Sequence, residues 1–182
     1  MRLFRQHGYE GVSIADLTNA IGIAPPSLYA AFKSKAGLYR EALDLYSGLP
    51  GALEGMTDAS TLEQGLEGFF NAAIQAVTAE ERGCMISIGL VEGAVEQHEL
   101  VIELRNRRRE LRDRIAETLC KWLTRPEADR LAKHLSALLQ GLAVQARDGA
   151  TGRDLSLTAQ DAIAGIVARR SAGYHRADCA TN

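Results

Sequence analysis

The sequence predicts an all-α protein, with a small N-terminal helix-turn-helix head joined to a larger helical body. Three observations predict it. Aromatic residues make up only 5% of the 182, while Ala, Leu and Gly are plentiful, which favours helices over sheet. Apolar residues recur at helical spacing in one segment after another. Residues 13–35, SIADLTNAIGIAPPSLYAAFKSK, read as two short helices around a tight turn.

The head comes first. Residues 1–7 read as the end of a helix, with Leu3 and Phe4 inward and Gly8 as its stop. Ser13 caps the next helix, and Asp16 in its first turn favours the positive end of the helix dipole. That helix is expected to bury Ile14, Leu17 and Ala20 or Ile21. The turn is Ile21-Gly22-Ile23, where glycine accepts a positive φ without steric cost. Pro25 and Pro26 open the second helix, since a first-turn residue needs no N–H. Helices this short are marginal in isolation and must pack to persist. The tight turn makes the pair a helix-turn-helix pattern, whose second helix enters the major groove of DNA. Ser34 caps a further helix over residues 35–46, with Leu38, Ala42, Leu45 and Tyr46 inward. Gly48, Pro50, Gly51 and Gly55 then interrupt the pattern and mark the best domain boundary.

The body follows. Ser60-Thr61-Leu62-Glu63 reads as a capping box opening a long helix, along which Leu62, Leu66, Phe69, Phe70, Ala73, Ile74 and Val77 recur at helical spacing. Residues 84–96 read as a mostly buried helix. Residues 99–123 form a long amphipathic helix, with Leu104, Leu111, Ile115, Leu119 and Trp122 on one face. Its other face carries the pairs Glu103–Arg107, Arg109–Asp113 and Glu110–Arg114. Thr124, Pro126 and Glu127 restart the chain into a helix marked by Leu131, Leu135, Leu138, Leu139 and Leu142. After a loop to residue 156, Thr158 and Asp161 open a last helix, with Ile163, Ile166 and Val167, ending near Gly173.

Composition excludes several classes. A net charge of −2 excludes a uniformly basic coat protein, though not a local basic patch. No apolar run reaches the roughly 20 residues of a membrane span. The first residues lack a signal peptide's apolar core, so a cytosolic protein is expected. Cys84, Cys120 and Cys179 are odd in number and widely spaced, which suits reduced thiols. Cys84 and Cys120 facing one interior would suit redox sensing, but inert buried thiols are commoner. Glu92, Glu96 and Glu99 beside His98 lack a second ligand helix, so no metal and no cofactor is expected. Arg105, Arg107, Arg108 and Arg109 form a basic cluster, read as a solvated face among compensating acids. No phosphate loop, serine elbow or Cys-x-x-Cys supports an enzyme.

The requirements of a groove-reading helix can be checked residue by residue. Ser27 is small and polar enough to reach base edges. Tyr29 can pack on the sugar–phosphate backbone and donate its hydroxyl to a phosphate. Leu28 and Phe32, four apart, are the inward anchors. Lys33 and Lys35 flank the helix end, where they can neutralise phosphates. Ser13 offers a hydroxyl at a helix N-terminus. Ala30 and Ala31 give little direct readout beyond contact with a thymine methyl.

The residues Leu3-Phe4, His7-Gly8-Tyr9, Ser13-Ile14-Ala15-Asp16-Leu17, Ile21-Gly22-Ile23, Ser27-Leu28-Tyr29, Phe32-Lys33-Ser34-Lys35 and Leu38 together resemble the TetR family of bacterial transcriptional regulators. The resemblance is dense in the first quarter of the chain and elsewhere lies in the helical layout. It implies a DNA-binding domain over residues 1–47, an effector-binding and dimerisation domain over residues 48–176, and a tail over 177–182. It implies contacts to double-stranded operator DNA from Ser13, Pro26, Ser27, Tyr29 and Lys35, with Lys33 near the backbone. It also implies a homodimer and a small-molecule effector that releases a repressor from its operator. Phe69, Phe70, Met85, Ile88, Val91, Trp122 and Gln140 could line an effector cavity, or be plain core. Leu131, Leu135, Leu138, Leu142, Ile163, Ile166 and Val167 suit a dimer interface and the monomer core equally. The family's first helix normally begins well before its Leu-Phe pair, whereas Met1 stands two residues before Leu3. Either the start lies upstream or the head is shortened, and a shortened head would leave a small-molecule-binding protein with impaired DNA binding.

Overall fold

The computed structural model describes residues 1–46, 51–79, 84–87 and 98–178, with side chains through residue 170. Among these residues every regular element is a helix: α1 Arg2–His7, α2 Ile14–Ile21, α3 Pro25–Phe32, α4 Lys35–Leu45, α5 Ala52–Thr57, α6 Leu62–Thr78, α7 His98–Leu119, α8 Arg125–Arg147 and α9 Gly152–Asp178. The sequence boundary at residues 47–48 falls outside the described residues.

Local chemistry sets where these helices start. Reciprocal capping boxes join Ser13 to Asp16 at α2 and Thr124 to Glu127 at α8. At the N-terminus of α9, the Thr151 hydroxyl donates to Asp154 at 2.6 Å and accepts from the Asp154 N–H at 3.2 Å. Each box satisfies orphan first-turn donors and places a carboxylate at the positive end of a helix. The third box explains why α9 begins at Gly152 rather than near Thr158, where the sequence placed it. The helix also continues to Asp178, past the stop expected near Gly173.

In the body, α6 lies at the centre, packed against α5, α8 and α9, while α7 packs along α8. The core is built from Leu66, Phe69 and Phe70 of α6, Ile115 and Leu119 of α7, and Leu135 and Ala143 of α8, all essentially inaccessible. The rings of Phe69 and Phe70 meet edge to face, with centroids 5.4 Å apart. Helix α5 has no counterpart in the sequence reading, which took its glycines as a break. Those glycines are its means of packing. A Cβ at Gly68 would stand 2.8 Å from the Gly55 carbonyl oxygen, and one at Gly55 would stand 3.1 Å from the Gly68 backbone. The two helices therefore cross backbone to backbone.

Several faces are rotated from expectation. On α2, Ala20 and Ile21 are exposed, and Thr18 takes the inner position. Its hydroxyl reaches the Ile14 and Ala15 carbonyls at 3.0 and 3.1 Å, so its burial leaves no polar atom unmet. On α4 the inward stripe is Tyr39, Ala42 and Leu43, whereas Leu45 is 78% exposed and Leu38 half-buried. Residues 84–87 form a turn, not a helix. The rest of the expected 84–96 helix, with Ile88, Val91, Glu92 and Glu96, lies outside the described residues. Trp122 lies beyond the end of α7. Its ring packs on Gly65, and its Nε1–H donates to the Ser60 carbonyl at 3.3 Å. Cys84 is buried and Cys120 exposed, so they do not share an interior.

Gly68→Ala tests the α5–α6 crossing. The added methyl meets backbone rather than a movable side chain, and overpacking of this kind costs about 1–3 kcal/mol. That exceeds the gain of about 1 kcal/mol in helix propensity. A lower denaturation midpoint in urea at unchanged slope is expected.

Candidate nucleic-acid interface

The groove-facing candidate is α3, and its pose is set from below. Leu28 is fully buried and Leu17 of α2 nearly so. Between them, Gly22 takes the left-handed conformation (φ 77°, ψ 31°) and donates its N–H to the Thr18 carbonyl at 2.8 Å. The adjacent Ile23 N–H reaches the same carbonyl at 3.1 Å. This is a helix C-terminus closed on a left-handed glycine, and it turns the chain straight into Pro25.

With Leu28 anchored, the outer face of α3 is fixed by helical geometry. Pro26, Ser27, Tyr29, Ala30 and Ala31 are exposed, Tyr29 to 47%, and Phe32 is half-buried beneath. Lys33 ends the helix with a positive φ of 66°, uncommon for a residue with a side chain. Its ammonium bonds the Ala30 carbonyl at 3.2 Å, at the negative end of the helix dipole. Ser34 follows at once and caps α4, its hydroxyl accepting from the Gly37 N–H at 3.0 Å. The strained residue thus lets one helix end and the next begin with only Lys33 and Ser34 between them.

Two of the sequence-derived contact residues have prior engagements. The Ser13 N–H and hydroxyl donate to the Asp16 carboxylate at 2.8 and 2.6 Å. The side-chain bond first, then the backbone one, holds the Asp16 carboxyl below its ordinary value. Lys35 donates to the Tyr9 and Val12 carbonyls at 2.9 and 3.1 Å, and its ammonium lies 4.1 Å from the Tyr9 ring centroid. Two of its three N–H donors therefore hold the loop before α2.

That loop belongs to an aromatic cluster the sequence reading missed. Phe4 and Tyr9 both meet Tyr39 edge to face, at 4.8 and 5.2 Å between centroids. Burial pushes the Tyr39 hydroxyl pKa well up. Tyr39, Ala42, Leu43 and Tyr46 follow the i, i+3, i+4, i+7 pattern, as the stripe of Leu38, Ala42, Leu45 and Tyr46 also fits helical spacing, so periodicity alone did not single the cluster out. The cluster extends into the body through Met85, Leu100 and Leu104. Beside it, α4 is clasped to α7 by charges. Arg40 pairs with Glu99 at 3.2 Å and Glu103 at 3.1 Å, while Arg107 pairs with Asp44 and, at 3.2 Å, with Glu103. Arg107 also donates to the Leu43 carbonyl at 3.3 Å. The head is further tied by Arg5, which donates to the Ala76 carbonyl of α6 at 2.8 Å.

The expected effector residues separate. Phe69 and Phe70 are core, Met85 is buried in the cluster beneath α4, and Trp122 lies against α6. Gln140 lines a cleft between α7, α8 and the 84–87 turn, with Arg108, Leu111, Ser136 and Leu139, which the sequence reading did not single out for it. Of the expected dimer residues, Leu135, Leu142 and Ile163 are buried within the chain, and Leu131, Leu138, Ile166 and Val167 are half-buried against the same core. Among the described residues, the exposed large apolar side chains of α8 and α9 are Val144 and Leu157. Among the described residues, no cluster of His, Cys, Asp and Glu could hold a metal, and no helix is long and apolar enough to cross a membrane.

Comparison with known proteins agrees with this geometry. The profile of bacterial regulatory proteins of the tetR family matches residues 1–42. The HTH-type transcriptional repressor ComR of Escherichia coli K12 is 31% identical over 162 residues, covering 83% of this chain and 77% of that protein. The HTH-type transcriptional repressor BdcR of the same organism is 30% identical over 166 residues, covering 86% and 80%. A cysteine mutant of the TetR family regulator CifR, solved with a 26-bp double-strand operator, aligns at a TM-score of 0.79 and 31% identity over 89% of this chain and 90% of that one. With α2 and α3 posed as a helix-turn-helix on an all-helical body, and relatives of this likeness along most of its length, the chain belongs to the TetR family and is a DNA-binding transcription regulator.

Proposed function

We propose that the protein is a repressor that binds a palindromic operator as a homodimer and leaves it when a small molecule occupies the body. The observation that carries the DNA contact is the outer face of α3, where Pro26, Ser27 and Tyr29 are exposed above a buried Leu28. The repressor assignment is supported by the printed roles of ComR and BdcR, and the operator by the CifR complex. Ser27 reads base edges, Pro26 packs on sugar, and Tyr29 donates to phosphate. Lys33 neutralises phosphate beyond the helix end. Lys35, with two donors on backbone carbonyls and the Glu10 carboxylate 4.0 Å away, approaches phosphate with its remaining N–H. Ser13 does so only when its capping box opens, and there the Asp16 carboxylate opposes the phosphate. The protein acts by binding, without catalysis, in the cytoplasm.

The homodimer is supported by the faces of α8 and α9 that the core leaves open. Ala137, Gly141 and Val144 lie three or four apart on α8, and Leu157, Ala164 and Ala168 are exposed along α9. A Cβ at Gly141 or at the adjoining Gly165 would meet nothing within 4 Å. Such faces let helices of a second copy approach closely in a two-fold arrangement that matches a palindrome.

Fluorescence anisotropy against duplexes tiled from DNA flanking the gene tests the operator reading. One duplex should bind far more tightly than random sequence, with steep salt dependence. Equal binding to all duplexes overturns the reading. Ser27→Ala should cost about 1–3 kcal/mol on that duplex and relax specificity, whereas Lys33→Ala should weaken all duplexes alike and lower the salt slope by about 1. Asp16→Asn should tighten binding, because it removes a negative charge from the phosphate approach. Sedimentation equilibrium tests the pairing: Val144→Glu together with Leu157→Glu should give a folded monomer with much weaker operator binding, and an unchanged dimer would refute the α8–α9 interface.

A further inference from the structure

The groove-facing helix is poor in hydrogen-bonding groups. Helix α3, PPSLYAAF, holds no Arg, Lys, Asn or Gln, and its polar side chains are Ser27 and Tyr29. Bidentate contacts to guanine or adenine, which need those longer side chains, are therefore absent from α3. Its N-terminus is silent as well. The first two helical residues are Pro25 and Pro26, which have no N–H. The next two N–H groups, of Ser27 and Leu28, both donate to the Ala24 carbonyl, at 3.0 and 3.4 Å. None of these four residues has a backbone donor left for the anion that a helix N-terminus commonly holds.

The exposed side chains divide between two flanks. Leu28 points inward and is fully buried. At roughly 100° per residue, Tyr29 and Pro26 fall on one flank. Ser27, Ala30 and Ala31, spaced i, i+3 and i+4, fall on the other, and all three are exposed. The flank that carries Ser27 is the one that meets base edges. It offers one hydroxyl and two methyl groups. The Ala30 carbonyl already accepts from the Lys33 ammonium at 3.2 Å, so Ala30 presents its methyl to the groove. Side chains this short also let the helix backbone lie close to the groove floor.

In the major groove a methyl group has one apolar partner, the 5-methyl of thymine. Against cytosine, adenine or guanine the same methyl would cover a polar edge it cannot bond, and an unmet buried polar group is costly. We propose that Ala30 and Ala31 are specificity-determining residues that read thymine through its methyl group, so that each operator half-site carries thymine close to the base met by Ser27. The inference rests on the reading that α3 enters the major groove of an operator, and it names the base recognised there. Ser27 stands one helical turn, about 5.4 Å, before the alanines. Successive bases rise by about 3.4 Å along a strand, so the thymines fall one or two steps from the base that Ser27 meets.

The test selects the full chain's preferred operator from a pool of random duplexes and reads affinity by fluorescence anisotropy. The selected duplex is then remade with deoxyuridine in place of thymidine, one position at a time. This deletes a methyl group and leaves the pairing edge unchanged. At one or two positions in each half-site the change should weaken binding about fourfold, the worth of burying one methyl-sized group. At the other thymines binding should hold. Ala30→Gly or Ala31→Gly should make the thymine and uracil duplexes bind alike at one of those positions. The reading is a ratio of two duplexes on one protein, so a variant with a weaker helix still reports. Equal binding of thymine and uracil duplexes at every position overturns the inference and leaves the operator reading standing. A methyl dependence that survives both glycine variants also overturns it, since another group then reads the thymine. A pool that yields no preferred sequence refutes the operator reading, and the thymine inference with it.

Discussion

The structure depends on α4 having no side of its own. Tyr39, Ala42 and Leu43 are buried in one cluster that also contains Phe4, Tyr9, Leu17 and Leu28 from the head and Met85, Leu100 and Leu104 from the body. Close-packed interiors resist small displacements and rearrange in discrete steps. A helix that shares one core with both parts cannot tilt without changing the support of α3, which is why the pose of the groove-facing helix is coupled to the packing of α7.

The charges along the same contact are of a different strength. Arg107 is one quarter exposed and Asp44 nearly two thirds, so their pairing is solvent-screened and contributes at most about 1 kcal/mol. Burial works against the Arg107 charge, and hydrogen bonds to Asp44 and Glu103 outweigh it, raising its pKa. Its Nε is nonetheless buried with no partner, at a desolvation cost of about 1–3 kcal/mol. The clasp is therefore specific in geometry and modest in energy. It fixes where α4 rests on α7 without making that position costly to leave. The apolar cluster supplies the cohesion and the ion pairs supply the register.

Both the reading face and the body follow the same economy of surfaces. On α3 a single anchor, Leu28, is buried, and the neighbouring side chains must then point outward. On α8 the leucines at 135, 139 and 142 are consumed by the chain's own core, so the apolar residues left exposed around the middle of the helix are Ala137 and Val144, beside Gly141. These faces therefore offer close helix approach more than large apolar side chains, consistent with the modest exposure of apolar groups there.

The starts of α2, α3, α4 and α8, the Gly22 turn, the order of the head and the all-helical class were legible in the sequence, because capping boxes, left-handed glycines and helical periodicity act within a few residues of chain. Residues 13, 26, 27, 29 and 33 were readable as surface candidates for the same reason. The sequence did not decide which of two apolar stripes α4 turns inward, since Leu38–Leu45 and Tyr39–Leu43 are both helical in spacing. The aromatic partners Phe4 and Tyr9 decided it. It did not reveal α5, whose glycines read as a break until their contact with α6 is seen. Nor did it separate Arg107 from Arg108, adjacent residues that a 100° step sends to opposite neighbours. Lys33 and Lys35 looked alike in the chain, yet one is exposed at a helix end and the other ties down a loop. Local chemistry thus determined where most helices begin and end, and long-range packing decided which of their faces stay exposed.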